Sequence, residues 1–455
     1  ALLLAVALIQ LLLPIFNQLT SKELSLLQVP NVFAWLLALT IITGLISGTY
    51  PAFYLSSFKP VTVLKGKLLN TISAVAVRKS LVVFQFTISI ILILGAIVIS
   101  QQMKYLSNQG LGFNKNQQII LPIQTNEANK NSTTLANELL ANSQVVNVTK
   151  GGTYPGIESV TSMLFYGEGK TALENVDVQT TYAEPGYIET LGIKLLQGRA
   201  FSKEFADDTN AVILNEEAVK QLGYTPDNTV GKKIFYEFQN QKHAMNVIGV
   251  VKDYHFQSLH QKIKPLMLTP APFFGGPNQY LIANVKSTSY TELITAFEKK
   301  WKKINPESPF SYSFLDEDFQ KNYIKEERTS QLIQYFTVIG IVIACMGLFG
   351  LATFIAEQRI KEIGVRKVLG ASITQIVTLL SKDFLKLVII SIVISSPVAY
   401  YLMNKWLQGF AYRIDIQWWV FVLAGMVATL IAFCTVGYQA IKAALANPVK
   451  SLKSE

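Results

Sequence analysis

The chain has 455 residues, 50% hydrophobic and only 15% charged, with 40 Lys+Arg against 30 Asp+Glu and a formal net charge of +10. Soluble globular chains carry about a quarter charged residues, so an ordinary soluble protein is excluded, leaving a basic nucleic-acid binder or a membrane protein. Residues 102–328 hold 23 basic and 24 acidic residues, which leaves 17 basic and 6 acidic for the apolar remainder. Nucleic-acid recognition needs a basic face on a folded domain, and the one soluble stretch has no surplus; nucleic acid is therefore excluded as a partner.

In chain order, the pattern predicts six apolar spans for a lipid bilayer. Ala1–Phe16 is shorter than the roughly 20 residues that cross a hydrocarbon core. It has no basic flank and no opening Met, so it reads as a helix that begins before residue 1 rather than as a signal peptide. Val32–Leu55, Leu81–Ser100, Ser330–Ala356, Phe384–Met403 and Trp418–Gln439 are each long enough. Neither Val82–Ile99 nor Leu332–Ala356 contains a formal charge, which a buried soluble helix of that length rarely achieves. Gly44-x-x-x-Gly48 and Gly347-x-x-Gly350 offer close helix packing. The scarcity of charge inside the spans argues against a proton or ion relay.

Between the third and fourth spans, residues 102–328 read as a mixed α/β domain. Gln118–Pro122, Ala211–Leu214, Met245–Val251 and Tyr280–Val285 have the character of strands, and Glu216–Leu222 and Thr291–Ile304 that of helices. Gly151-Gly152, Tyr154-Pro155-Gly156 and Phe274-Gly-Gly-Pro277 mark turns, the last an exposed tip. Both cysteines, Cys345 and Cys434, fall in spans, so this domain is stable through its own core rather than through disulfides. Its chemistry-bearing residues are sparse. Gly169-Lys170-Thr171 ends like a phosphate-binding loop, but position 164 is Leu where that loop needs Gly. His243, His255 and His260, with Asp253, fall short of the convergent ligand set a metal needs. Asp316, Glu317 and Asp318 before Lys321, Lys325 and Arg328 read as a charged helix surface. No catalytic set and no metal site emerges.

Basic residues orient the spans. Ser56–Lys79 holds five with no acid, Gln358–Lys386 holds six, and the tail adds Lys442, Lys450 and Lys453; the two opposite loops hold only Lys22, Lys405 and Arg413. The three basic segments are cytoplasmic and 102–328 lies outside. A shift of 388 residues brings Tyr50, Ala52, Pro60, Val61, Leu64 and Lys65 onto Tyr438, Ala440, Pro448, Val449, Leu452 and Lys453, the mark of an internal repeat. The expected organisation is two spans of a first repeat (1–56), a cytoplasmic linker (57–80), the first span of a second repeat (81–101), the external domain (102–328), a three-span return (329–441) and a cytoplasmic tail (442–455).

The most informative cytoplasmic stretch is 357–372. Ile360, Ile363, Val365, Val368 and Leu369 recur at helical spacing, with Arg359, Lys361, Arg366 and Lys367 largely between them, so the strip suits the membrane surface. Gly370-Ala-Ser372 supplies a stop and a fresh cap. Such a segment either sets orientation alone or docks on a cytoplasmic partner.

Glu362-Ile-Gly-Val-Arg-Lys-Val-Leu-Gly-Ala-Ser372 resembles the cytoplasmic signature of the MacB/FtsX-type ABC transporter permeases. In the external domain, Tyr187-Ile-Glu-Thr-Leu-Gly-Ile-Lys-Leu-Leu-Gln-Gly-Arg-Ala-Phe201, Val212-Ile-Leu-Asn-Glu-Glu-Ala218 and Val247-Ile-Gly-Val-Val-Lys-Asp-Tyr-His-Phe256 are similar to segments of that family's MacB-type periplasmic core domain. The resemblance implies an α-helical membrane protein with a large mixed α/β extracytoplasmic domain, of the duplicated eight-span subfamily, in a bacterial cytoplasmic (inner) membrane. It further implies a separate cytoplasmic ABC ATPase subunit that carries ATP and Mg, so that this chain needs no cofactor of its own. That subunit would dock on Arg359, Lys361, Glu362, Ile363, Gly364, Val365, Arg366, Lys367, Leu369, Gly370 and Ala371. A homodimer or pseudo-dimer, and a periplasmic adaptor or outer-membrane partner, are the further associations expected. Two functions follow from the resemblance: export or release of a peptide, lipoprotein or amphiphile, or non-transporting signal transduction to a cell-wall hydrolase.

Overall fold

The structure, a computed structural model, describes residues 2–20, 22–26, 31–56, 72–157, 161–205, 208–270, 279–287 and 289–445. Most of the linker, the end of the tail, the Pro-Val-x-x-Leu-Lys halves of the repeat and the Phe274–Pro277 tip lie outside the described residues.

One unit comprises Ala1–Met103, Glu326–Leu407 and Ile414–Glu455. Its helices are α1 (Leu2–Thr20), α2 (Val32–Ser56), α3 (Ile72–Asn108), α4 (Ile324–Gln358), α5 (Ile360–Val368), α6 (Ile373–Leu407) and α7 (Trp418–Leu445). Stretches within α2, α3, α4 and α7 are long and apolar enough to cross a membrane. The stretch Leu2–Gln18 of α1 is shorter, and α6 has the length but carries Lys382, Asp383 and Lys386 in its first half. Helices α3 and α4 overrun the predicted spans because nothing in their sequences stops the helix where the apolar run ends.

Helix α3 is the centre of this unit. Phe86, Ile90, Leu94 and Val98 are buried along it, in one core with Ala344 and Leu348 of α4, Phe384 and Val388 of α6, and α7. Helix α7 presents Val420, Ala424, Ala428, Ala432, Val436 and Ala440, all buried and spaced every four residues. Such a stripe of small residues lets backbones approach closely, which is how helices gain contact in lipid. Hydroxyls tie the helices together. Ser89 Oγ donates to Gly340 O at 3.0 Å, Ser391 Oγ to Val83 O at 3.0 Å, and Gln439 Nε2 to Thr353 Oγ1 at 2.6 Å.

The other unit is Lys104–Lys325 together with Gln408–Arg413, so the short turn between α6 and α7 folds with the external domain rather than with the spans. Its strands are β1 (Gln118–Ile123), β2 (Val145–Gly151), β3 (Thr161–Gly167), β4 (Val176–Tyr182), β5 (Leu195–Gly198), β6 (Ala211–Asn215), β7 (Lys233–Phe238), β8 (Gln241–Val251), β9 (Leu266–Thr269), β10 (Gln279–Val285) and β11 (Ser313–Phe314). A four-stranded antiparallel sheet has the order β11-β1-β10-β2. Its strands alternate as the period of two requires: Ile119, Leu121, Leu281 and Ala283 meet helices Ser132–Leu140 and Tyr290–Ile304, while Ile120 and Ile282 enter a second core with Tyr187 and Leu191. The larger sheet runs β5-β8-β6-β9-β4-β3-β7, and β8 also pairs with β7, so six of its strands close on themselves. Phe165, Val178, Leu214, Ile234 and Met267 belong to the core of this closed sheet.

The external motifs that carry the resemblance converge on one node. Asn215 ends β6 and caps helix Glu216–Leu222: its Oδ1 accepts from Ala218 N (3.0 Å) and Leu266 N (2.8 Å), and its Nδ2 donates to Lys264 O (3.0 Å). Glu216 Oε2 accepts from Asp253 N, and Asp253 Oδ1 from Glu217 N, so the segments 212–218 and 247–256 brace each other. Burial, with Glu216 and Glu217 close by, pushes the Asp253 carboxyl above its ordinary pKa. Gly198 sits at φ +74, where a Cβ would run into Ile248 O and Gly249; only glycine lets β5 approach β8 there. Arg199 then pairs with Asp208, Nη1 to Oδ2 at 2.8 Å.

Replacing Asn215 with Ala removes a cap and two further buried bonds, an expected loss of about 2–4 kcal/mol; a thermal midpoint unchanged in the purified full chain would contradict this. Arg199 holds the Asp208 carboxyl below its ordinary pKa. The pair's contribution is therefore complete above the usual carboxylate value of about 3.9 and is lost as pH falls through the lower native value. The difference in thermal midpoint between the native chain and Asp208→Asn should shrink as pH is lowered from about 7 to about 3.

Candidate functional site

The residues from Gln358 to Ser372 form a short helix set off from its neighbours at both ends. Helix α4 ends at Gln358, and Arg359, at φ −98 and ψ 12, turns the chain into α5. At the far end Gly370 takes φ +90. Gly370 N donates to Lys367 O (3.1 Å) and Ala371 N to Arg366 O (2.9 Å), the pair of bonds that closes a helix through a left-handed glycine. Ser372 then opens α6 with a reciprocal cap, Gln375 N to Ser372 Oγ (3.3 Å) and Ser372 N to Gln375 Oε1 (3.0 Å). The stop and restart expected from Gly370-Ala-Ser372 are both present.

The apolar residues of α5 divide between two faces instead of forming one strip. Ile363 is buried in the core of the helical unit and Gly364 is buried beside it, on the side where α5 packs against α7. Val365, Val368 and Leu369 point the other way and are 48%, 66% and 81% exposed. The reason is geometric: at 100° per residue, positions 363 and 364 share one side of the helix and 365, 368 and 369 share another.

The charged residues divide as well. Arg359 Nη2 reaches Asp383 Oδ2 of α6 at 3.2 Å, so it braces the start of α5 from within the unit. Arg366 Nη2 meets Glu362 Oε1 at 2.8 Å one turn away, in the favourable order with the acid nearer the N-terminus. Both residues are exposed, Lys367 and Ala371 are half-buried, and Gly370 is exposed. The side chains of Ile360 and Lys361 lie outside the described residues. The resulting surface is three exposed apolar side chains beside an Arg–Glu pair, on a helix fixed at its back by Ile363 and at its start by Arg359. Its described residues offer a contact surface.

The glycines behave differently from one another. A Cβ on Gly347 would overlap the Gln85 side chain of α3, whereas at Gly44, Gly48 and Gly350 it would meet nothing within 4 Å. Gly340, one helical stretch earlier on α4, meets Leu92 Cδ1 at 3.2 Å. The close contacts that the Gly-x-x-x-Gly spacing did not point to, the alanine stripe of α7 and Gly340, carry much of the packing; the signal for the stripe was alanine at every fourth position.

The remaining external candidates make ring contacts, a helix cap and hydrogen bonds within the domain. His243 stacks on Tyr236 with ring centres 4.9 Å apart, and His255 and His260 meet aromatic rings. Among the described residues no group of three or more His, Cys, Asp or Glu side chains is placed to hold a metal ion. Gly169-Lys170-Thr171 lies in the connection from β3 to β4, where Thr171 caps a single turn of helix. Asp318 accepts from Tyr154 Oη at 2.8 Å, and burial together with Asp318 pushes the Tyr154 hydroxyl far above its ordinary pKa.

Residues 335–448 match the family of FtsX-like permease C-terminal domains, and residues 81–297 match the MacB-like periplasmic core domain. The chain is similar to the macrolide export ATP-binding/permease protein MacB of Aggregatibacter actinomycetemcomitans, with 25% identity over 256 residues, 52% of this chain and 35% of that protein. The MacB protein of Mannheimia succiniciproducens is also 25% identical, over 253 residues with the same coverage of both chains. The chain thus matches about a third of the length of these curated relatives. Among solved structures, the periplasmic region of MacB from Actinobacillus actinomycetemcomitans aligns over 48% of this chain and 97% of its own, with 18% identity and a TM-score of 0.33. The extracellular domain of the noncanonic ABC-type transporter YknZ from Gram-positive bacteria aligns over 43% and 98%, with 16% identity and a TM-score of 0.29.

Gly347→Leu must displace the Gln85 side chain where α4 meets α3 and should lower stability by about 1–3 kcal/mol, whereas Gly350→Leu, with open space beside it, should not. Equal thermal midpoints for the two variants in detergent would refute this packing.

Proposed function

The chain belongs to the MacB/FtsX-type ABC transporter permeases, and on that premise we propose that it couples ATP hydrolysis by a separate cytoplasmic ATPase subunit to movement of its extracytoplasmic domain. The observation that carries the reading is the outward face of α5. Val365, Val368 and Leu369 are exposed beside Arg366 and Glu362, while Ile363 and the Arg359–Asp383 pair hold the helix to the rest of the unit. A surface that receives a push must be open to its partner and stiff toward its own domain, and α5 has both properties. Arginine is among the residues enriched in interface hot spots, and Arg366 lies beside this exposed apolar cluster.

In this reading the permease sits in the bacterial cytoplasmic membrane with residues 102–328 outside, a placement that the distribution of Lys and Arg supports. ATP and Mg belong to the partner subunit, and this chain supplies no cofactor site. The cargo is a peptide, lipoprotein or amphiphile handled on the outer side, with a periplasmic adaptor or outer-membrane channel receiving it. A dimer of permeases, or a pseudo-dimer of repeats, would present one such helix to each of two ATPase subunits.

Reversing charge at Arg366 and Lys367, or placing Glu at Leu369, should reduce recovery of the ATPase with the tagged chain by about tenfold or more while membrane insertion is retained. Undiminished recovery of the ATPase with both variants would overturn the docking assignment. Recovery of a cell-wall hydrolase in place of an adaptor or channel would replace export with signalling.

A further inference from the structure

The turn between α6 and α7 holds an arrangement that the proposed function does not use. Gln408–Arg413 folds within the external unit, and Phe410 at its centre is only 5% exposed. The His260 ring stacks on Phe410 with centres 4.5 Å apart and planes at 26°, and lies at 22° to Tyr323 on a 5.8 Å centre distance. Ala411 N donates to His260 O at 3.2 Å. Tyr412 and His255 meet edge to face at 4.7 Å and 87°. Tyr323 Oη accepts from Leu259 N at 2.8 Å, closing the loop 254–261 onto the residue that precedes α4. His255 and Tyr323 are each 7% exposed, and burial lowers the pKa of His255, which keeps that ring neutral.

Six residues of turn could not bury an aromatic ring by themselves. Here two histidines and a tyrosine from sequence positions about 80 to 160 residues earlier build the socket. Rings in such edge-to-face and offset geometries attract one another, and the Ala411 bond fixes the register of the turn. Free loops between membrane helices are polar and open; this one is held by three rings and a backbone bond.

We propose that the His255–His260–Tyr323 socket makes the 408–413 turn a fixed part of the extracytoplasmic domain, so that the turn and the loop 254–261 open and close as one cooperative element. Any displacement of the α6–α7 connection is then delivered to the domain at this socket. The proposal rests on the transport reading only for the source of that displacement; the socket itself needs no ATPase.

The test is amide hydrogen exchange on the full chain in detergent or nanodiscs, comparing the native protein with Phe410→Ala and His260→Ala. In the native chain the amides of Ala411 and Leu259 should be protected, and each variant should speed exchange in both 408–413 and 254–261 by about tenfold or more. His260→Phe, which keeps a stacking ring, should retain most of the protection in both segments. Rapid exchange at Ala411 in the native chain would overturn the proposal, as would a variant that frees 408–413 while leaving 254–261 protected. If Phe410→Ala does not fold, the native chain and His260→Phe still decide the matter. The ATPase recovery experiment reads α5 alone, so its failure would leave the exchange result standing, and the reverse holds.

Discussion

Lipid tails are as apolar as leucine, so bringing one apolar helix against another in a membrane gains nothing from leaving water; contact depends on how closely the backbones approach. That constraint is met most closely between α6 and α7, whose backbones run side by side, while α3 joins them through the side chains of the shared core. Where α4 meets α3 the chain has Gly340 and Gly347, the second directly under the Gln85 side chain. Where α7 enters the shared core it has four alanines and two valines, one at every fourth position from Val420 to Ala440. Ser89 and Ser391 then bond backbone carbonyls across the helix pairs, which satisfies hydroxyls that hydrocarbon could not. The position of α5 follows from this packing, because Ile363 and Gly364 rest on the same core.

Much of the fold was legible where one physical period dominated. The apolar runs marked the spans, and β1, β6 and β10 appeared as strands because Ile, Leu and Val fill them on both faces. Helix Glu216–Leu222 was legible to the residue because Asn215 starts it and Gly223 ends it. Strands β2 and β4 were not, and the reason is chemical. Thr149, Gln179, Thr180 and Thr181 are buried there, held by bonds such as Thr153 Oγ1 to Thr181 Oγ1 at 2.7 Å, and a buried threonine looks like a surface residue in any hydrophobic pattern. The first half of β8, Gln241–Ala244, was hidden for the opposite reason: it pairs with β7 past the core, where its residues are largely exposed and show no apolar alternation.

The 408–413 turn was illegible for a different cause. Phe410 and Tyr412 beside a span resemble the aromatic residues that sit at membrane interfaces, and nothing local distinguishes the two situations. What separates them is a set of partners at positions 255, 260 and 323, which only the fold brings to the turn. Histidines that a metal-ligand search weighs and sets aside become meaningful through the flat faces of their rings.

The charged cluster of residues 357–372 shows the same separation of like residues by the fold. In sequence Arg359 and Arg366 are two members of one basic run, equal in what they contribute to orientation. In the structure Arg359 crosses to Asp383 on α6 and belongs to the interior brace, while Arg366 stays on α5 with Glu362, on the open face beside Val365 and Leu369. A basic run that served orientation alone would have no need of this division, since any arrangement of the same charges would satisfy the membrane potential and the lipid headgroups equally. The proposed docking does need it: one set of contacts would hold α5 in its own domain, and another, left exposed, would meet the partner.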